Sequence, residues 1–133
     1  MDMHATFGTD ETFEREGIWY EFDKETKFLL ARAGGANVPF AKRLEAVTRP
    51  YRRQIENETI DLEFANGLLR QAWCETVLKG WKGFIYKGKK VPYSLENSLK
   101  YMEMLPDLYL ELRGESQRIA HFRTAAIEDD SGN

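Results

Sequence analysis

Two short runs near the start of the chain have a period of two residues. The first covers residues 18–22 and the second covers residues 28–31, with the polar stretch 23–26 between them. A period of two is typical of β-strands, so the pattern predicts a β-hairpin with a polar turn. Large apolar side chains fall on both of its faces. An isolated hairpin is only marginally stable in water, so we expect it to pack against helices or another subunit.

Farther along the chain, apolar residues recur every three to four positions, which is typical of helices that face a core. Pro39 suits the first turn of a helix that begins near Val38, because no N–H group is needed there. Pro50 predicts a kink or a new helix start at Arg49. The strongest pattern predicts a helix over residues 62–79. Its core-facing side is predicted to carry Leu62, Ala65, Leu69, Ala72, Trp73, Thr76 and Val77.

The stretch from residue 73 to residue 93 connects this helix to the next one and holds two of the three tryptophans. Gly80 is expected to end the helix in a left-handed conformation, which glycine adopts without strain. A Trp-Lys-Gly corner and a short extended or hairpin segment are predicted to follow. Ser94 is expected to cap the next helix, and Pro106 to begin the last one. The inner face of the last helix is predicted to carry Leu108, Leu112, Ile119, Phe122 and Ala126.

These elements predict a mainly α fold, a small domain of about four to five helices with an N-terminal β-hairpin and a short extended segment between helices. Residues 1–16 contain few large apolar groups and are expected to form a flexible N-terminal arm. Residues 17–127 are expected to form a single helical domain with the hairpin. The acidic residues 128–133 are expected to form a flexible tail. A chain of 133 residues is long enough to bury a core in one domain.

The composition indicates a folded protein with a well-solvated surface. The chain is 42% hydrophobic and 31% charged, and its formal net charge is −3. This charge does not drive the whole chain toward nucleic acid or anionic membranes. The single cysteine, Cys74, lies in an apolar helical pattern and is expected to be buried and reduced. Since the sequence shows no signal peptide and no apolar run of transmembrane length, we expect a cytoplasmic location.

No motif in the sequence indicates catalysis, a metal or a cofactor. His4 lies in the predicted arm, His121 stands alone on the last helix, and Cys74 has no partner at a ligand spacing. No Gly-x-Ser-x-Gly motif is present, and Gly34-Gly35 is not followed by the Gly-Lys-Ser/Thr sequence of a phosphate-binding loop. We therefore expect no enzymatic activity, no metal and no cofactor.

Arg49, Arg52 and Arg53 are the first candidates for binding a partner, because they lie in the most basic part of the chain. Such residues suit a docking patch for an acidic partner or for phosphates. The alternative is a solvated helix face on which the arginines pair with nearby glutamates, since exposed pairs of this kind are common and weak.

Trp81, Phe84 and Tyr86 are the second group of candidates. A structural corner buried for stability is the first interpretation, since aromatic side chains are mostly core residues. A surface for a client or for self-association is the second. The neighbouring Lys87-Gly88-Lys89-Lys90 mixes basic and aromatic residues as a binder of single-stranded nucleic acid would, although a solvated turn is the simpler interpretation.

Several segments between residues 17 and 127 also form a characteristic ordered set. They are Gly17-Ile18-Trp19-Tyr20, Thr26-Lys27-Phe28-Leu29-Leu30-Ala31-Arg32, Pro39-Phe40, the run from Leu44 to Arg53, the run from Ala72 to Gly83, the run from Val91 to Asn97, Leu105-Pro106-Asp107-Leu108 and His121-Phe122-Arg123. No single segment is a catalytic signature. As an ordered set they resemble the tail assembly chaperones of phages and prophages with long, flexible tails of the siphovirus type.

The resemblance implies a non-enzymatic role in building a phage tail. Proteins of that family bind the tape-measure protein, a long helical rod, keep it soluble, and help to recruit tail-tube subunits around it. The expected partners are therefore the tape-measure protein, the tail-tube protein and further copies of the chain. A longer form made by ribosomal frameshifting is also implied. The protein would act in the cytoplasm of the bacterial host and be absent from the mature virion.

Two other classes of protein stay open on the sequence alone. A head–tail or tail-completion component of a phage would use the same surfaces permanently within the particle. A nucleic-acid-binding regulator would use the arginine-rich region at Arg43, Arg49, Arg52 and Arg53. Steep salt-dependent DNA binding would support that second alternative.

Overall fold

A computed structural model describes residues 1–123 of the chain. The predicted β-hairpin is present in it: β1 (Ile18–Glu21) pairs antiparallel with β2 (Lys27–Leu30). The turn is held by the Asp23 carboxylate, which accepts two backbone N–H groups of the turn at 2.8 and 2.7 Å. The hairpin prediction is therefore confirmed.

A third strand, β3 (Leu78–Lys82), pairs antiparallel with the other edge of β2 and gives a sheet of order β1-β2-β3. The helix predicted over residues 62–79 ends at Thr76. Gly80 is a strand residue opposite Leu29 and does not terminate a helix. Pairing with β2 prevails here because the backbone groups along a buried strand need hydrogen-bond partners on both sides.

A separate two-stranded sheet follows, in which β4 (Ile85–Tyr86) pairs with β5 (Lys89–Lys90). Residues 1–123 thus contain five strands in two antiparallel sheets. The prediction of a mainly α fold with one hairpin is wrong, and the protein is a mixed α/β protein. The physical reason is that the segment predicted as a corner between helices supplies three strands, one of which extends the hairpin into a sheet.

Helices make up the rest of the regular structure. They are α1 (Met3–Phe7), α2 (Glu11–Glu16), α3 (Val38–Thr48), α4 (Arg52–Glu56), α5 (Leu62–Thr76), α6 (Leu95–Met104) and α7 (Pro106–Ser116), with 3-10 turns at Arg49–Tyr51 and Ile119–Phe122. The predicted cap at Ser94 is confirmed, because its hydroxyl accepts the Asn97 N–H at 3.0 Å. The predicted start at Pro106 is also confirmed. The predicted last helix, however, stops at Ser116 and continues only as a 3-10 turn.

Residues 1–16, predicted as a flexible arm, contain α1 and α2. Glu14 of α2 is only 2% exposed, and its carboxylate accepts hydrogen bonds from Arg32 at 2.9 Å and from the Ala36 N–H at 3.1 Å. Burial by itself raises the pKa of Glu14, but hydrogen bonds from Thr9, Ala36 and Arg32 lower it below its ordinary value. The Glu14 carboxylate thus joins α2 to residues 32–36, beside the backbone hydrogen bond from the Arg32 N–H to the Glu14 carbonyl at 2.8 Å. The acidic tail predicted at residues 128–133 lies outside the described residues.

The core lies where the sheet, the C-terminal end of α5, α6 and α7 meet. Trp73 is at its centre: the ring packs edge-on against Tyr109 with centroids 5.3 Å apart, and Nε1 donates a hydrogen bond to the Ser116 hydroxyl at 3.0 Å. Cys74, beside it, is 1% exposed, as predicted. The fully buried large apolar residues are Phe28, Leu30, Trp73, Val77, Leu78, Met102, Leu112 and Phe122.

Residues 38–71 differ from this core because none of their side chains is fully buried. They comprise α3, the following 3-10 turn, α4 and most of α5, and we call them the exposed helical unit. α3 and α5 run antiparallel, since Tyr51 packs edge-on against Phe64 with centroids 4.8 Å apart, and Arg43 pairs at 3.0 Å with Glu75, just beyond the unit. Partly exposed side chains therefore hold this unit together.

Candidate interaction surfaces

Titratable and metal-ligating side chains are the first groups to compare with the sequence predictions. Within residues 1–123, no group of three or more His, Cys, Asp or Glu side chains could hold a metal ion. Burial raises the pKa of the Cys74 thiol to about 11, so the thiol stays protonated at neutral pH. A protonated, buried thiol is a poor nucleophile, and Cys74 acts as a packing residue.

A cluster of titratable side chains joins the last described residues to the sheet. The His121 ring contacts the Glu115 carboxylate and lies edge-on to Tyr20, with ring centroids 5.7 Å apart. Burial alone raises the pKa of Glu115, but His121 and Arg118 lower it overall. Burial and the negative charge of Glu115 raise the pKa of Tyr20, which stays protonated. These contacts hold the 3-10 turn against β1, and they place no free nucleophile in a cavity.

Two of the predicted partner-binding residues, Trp81 and Phe84, lie against the core. They are 7% and 6% exposed, and their rings stack with centroids 4.6 Å apart. Both rings pack edge-on against Phe28, and Trp81 Nε1 donates a hydrogen bond to the Val91 carbonyl at 2.8 Å. In this arrangement the pair stabilises the sheet. The two rings also line an open cavity of about 330 Å³ together with Val91, Pro92 and Tyr93. Their binding role stays a prediction.

Tyr86, the third residue of that group, is half-buried beside the β4–β5 turn. Its ring lies edge-on to Tyr101 with centroids 5.2 Å apart. Together with Lys87, Lys89 and Lys90 it lines an open cavity of about 380 Å³. Tyr86 is more exposed than Trp81 and Phe84, and it reaches a surface that a partner can contact.

The predicted arginines lie at the turn between α3 and α5, and all three are exposed. Arg49 and Arg52 approach the same carboxylate, that of Glu45, at 3.2 and 3.8 Å. Exposed ion pairs of this kind add little stability. One glutamate thus pairs with two arginines, and Arg53 lies beside them on α4. Because Glu56, Glu58, Asp61 and Glu63 follow along the same stretch, the positive charge is confined to its arginine end.

Large apolar side chains are exposed on the same part of the chain. Ile55, Leu62 and Phe64 are 40%, 77% and 43% exposed. Leu62 was predicted to face the core, and that prediction is wrong, because α5 begins beyond the reach of the core. The local sequence did contain a sign of this exposure. Leu62 directly follows the capping residue Asp61, whose carboxylate accepts the Phe64 N–H at 3.0 Å, and it is therefore the first residue of α5.

Apolar and basic side chains are thus both exposed along residues 49–64 of the exposed helical unit. Phe64 of α5 packs against Tyr51 of the 3-10 turn, which is also the turn that carries Arg49. Aromatic and apolar residues with arginines at the edge are enriched in protein interfaces. We call the set Arg49, Tyr51, Arg52, Arg53, Ile55, Leu62 and Phe64 the α4–α5 surface.

The exposed helical unit, the strands β3 to β5 and the helices α6 and α7 all lie within a stretch that matches a known family. Residues 35–133 match the profile of a family described as YdaY prophage protein. The chain belongs to the YdaY prophage protein family. This confirms the expectation of a prophage protein, and the description of the YdaY family names no activity or partner. The hairpin of β1 and β2 lies outside the matched stretch.

No curated protein and no solved structure matches this YdaY family member. None of the helices within residues 1–123 is long and apolar enough to cross a membrane. The surfaces described above are therefore the observations on which a function for the chain must rest.

Proposed function

We propose that this YdaY family member is a tail assembly chaperone, which binds the tape-measure protein and helps to recruit tail-tube subunits without catalysing a reaction. It acts in the cytoplasm of the bacterial host and is absent from the mature virion. Two arguments support the proposal: the prophage family, and the ordered sequence segments that resemble tail assembly chaperones. The structural observation that carries it is the α4–α5 surface.

The chemistry of the α4–α5 surface suits an amphipathic helix. Ile55, Leu62 and Phe64 present apolar area that water now contacts. Fully burying an exposed apolar side chain of this size contributes about 1.5–3 kcal/mol. Leu62 can gain most of this energy on binding a helix with an apolar stripe, and Ile55 and Phe64 gain less because they are already partly buried.

The arginines of this surface contribute differently. Charges at the edge of an interface mainly set orientation, partner choice and association rate. A client helix with acidic residues beside its apolar stripe would therefore be preferred over one with basic residues. Several copies of the chaperone along one rod would raise the overall affinity through avidity.

The test is co-expression with the tape-measure protein encoded in the same prophage, followed by affinity purification. A soluble complex that also binds added tail-tube protein is the expected result. An aggregated client without the chaperone bound would contradict the proposal. Detection of the chain in purified particles would then favour a permanent head–tail or tail-completion component.

A pair of variants tests the surface itself. Leu62→Gln with Phe64→Gln is expected to abolish most client binding, because it removes the exposed apolar contacts. Leu95→Gln with Leu110→Gln is the matched control, since these leucines are 45% and 51% exposed on α6 and α7. Equal client binding by the two double variants would exclude the α4–α5 surface as the client site.

A further inference from the structure

We propose that the basic cavity beside the β4–β5 turn is a second docking site, which binds an acidic segment of a partner polypeptide. The cavity, of about 380 Å³, opens between the turn and α6 and is lined by Tyr86, Lys87, Lys89, Lys90, Asn97 and Tyr101, among others. This proposal does not depend on the tape-measure client, because it uses a different surface and a different kind of contact.

Positive charge is concentrated near this cavity, although the chain as a whole is negatively charged. Residues 77–93 contain five lysines and no acidic residue, whereas the whole chain has a net charge of −3. None of the residues that line the cavity is acidic. Three ammonium groups therefore border one opening with no carboxylate among the lining side chains, and a carboxylate-rich ligand is complementary to them.

The lysines differ from the arginines in the ion pairs that they form. Every ion pair among residues 1–123 involves an arginine or His121, and none involves a lysine. The arginines thus already have partners within the fold in many cases, while Lys87, Lys89 and Lys90 have no carboxylate partner within residues 1–123.

The backbone of the turn adds an independent observation. Lys87 and Gly88 both have positive φ, at 50° and 80°. A tight turn of this type strongly prefers Asn or Gly at its first position, because a longer side chain is strained in the left-handed region. Lys87 is therefore held against the local preference, and residues strained in this way cluster at functional sites.

The aromatic rings at the cavity favour a polypeptide over single-stranded nucleic acid. A base would stack on an open ring face. Here the Lys87 ammonium lies over the Tyr86 ring, 5.6 Å from its centroid, and the Lys100 ammonium lies over the Tyr101 ring at 5.3 Å. The two rings also meet edge to face. One face of each ring is thus covered by a cation, which leaves less ring area for a base to stack on than an open aromatic platform offers.

The test measures binding of a fluorescein-labelled oligoglutamate peptide to the full chain by anisotropy at low salt. The site variant carries Lys87→Asn, Lys89→Gln and Lys90→Gln, in which Asn keeps the turn in its preferred conformation. The matched control carries Lys24→Gln, Lys27→Gln and Lys42→Gln, which removes the same charge elsewhere. We expect the site variant to bind at least about tenfold more weakly than the wild type and the control to bind nearly as well. Circular dichroism checks that both remain folded.

Three results would overturn the proposal. Equal weakening by both triple variants would mean that only net charge matters. Tighter binding of a labelled oligothymidylate, lost in the site variant, would identify a nucleic-acid site instead. The third concerns the chain's own acidic residues: if Glu128→Gln, Asp129→Asn and Asp130→Asn together raised peptide affinity about tenfold, the tail and not a partner would occupy the cavity.

Discussion

The two ends of α5 lie in different surroundings although they belong to one continuous helix. At the C-terminal end, Trp73 and Cys74 are at most 1% exposed and pack among the sheet, α6 and α7. At the N-terminal end, Leu62 and Phe64 are 77% and 43% exposed. The apolar pattern along the helix is similar at both ends, so the difference comes from which other elements are within reach. A single helix can thus belong to the core at one end and to a binding surface at the other.

The largest effect is expected in the core. Trp73→Ala removes the central indole and its hydrogen bond to Ser116, and is expected to lower the free energy of unfolding by about 3–5 kcal/mol. Denaturant titration measures this change. A loss below about 1 kcal/mol would mean that the C-terminal end of α5 is no better packed than the exposed helical unit.

The next largest effect concerns the polar contact that attaches α2. Glu14→Gln is expected to lower the free energy of unfolding by about 1–3 kcal/mol, because it weakens hydrogen bonds of a buried group. The measurement is denaturant titration at neutral pH.

The Glu14→Gln variant also tests how the free energy of unfolding depends on pH. Since the pKa of Glu14 is lowered on folding, its ionised form contributes stability above the ordinary value of 4.5, and this contribution is lost as pH falls through the folded-state pKa. The difference between wild type and Glu14→Gln should therefore shrink on acidification below 4.5. A difference that is constant with pH would exclude this electrostatic account.

A smaller effect is expected where the exposed helical unit joins the core. The Arg43–Glu75 pair links α3 to the buried end of α5 at 3.0 Å, but the Arg43 side chain is 41% exposed. A double-mutant cycle with Arg43→Gln and Glu75→Gln is expected to give a coupling energy of about 0.2–1 kcal/mol. A coupling above about 2 kcal/mol would show that the unit depends on this pair for its position.

The smallest effect on stability is expected at the N-terminal end of α5. Leu62→Gln should change the free energy of unfolding by less than about 0.5 kcal/mol, because the side chain is already mostly in water. Denaturant titration of Leu62→Gln beside Trp73→Ala gives the comparison directly. A loss near that of Trp73→Ala would mean that Leu62 is buried in solution, for instance in an oligomer.

Local pattern was sufficient to predict several elements of the fold. The hairpin follows from its period of two, and the start of α6 follows from Ser94, whose capping oxygen needs only the next turn of backbone. β3 could not be predicted in this way. Gly80 after an apolar helical run looks like a helix end, and only the presence of β2, about fifty residues earlier, makes the segment a strand.

The candidate surfaces were predictable to different degrees. Arginines on a helix are almost always exposed, so the exposure of Arg49, Arg52 and Arg53 followed from residue type. Whether aromatic residues such as Trp81 and Phe84 lie in the core or on the surface depends on the partner strand, which the local sequence does not show. The apolar part of the α4–α5 surface was missed because Leu62, an apolar residue at helical spacing, was assigned to the core without knowing where the core ends.

The burial of Cys74 has a practical consequence for spectroscopy. It is the only cysteine in the chain, and its thiol is both 1% exposed and protonated at neutral pH. Maleimide dyes react with exposed thiolates, so the native protein should resist labelling without any substitution. A cysteine introduced at Leu62 or at Lys89 would then take up a single fluorophore, and the two docking surfaces could be followed separately in the same assembly reaction.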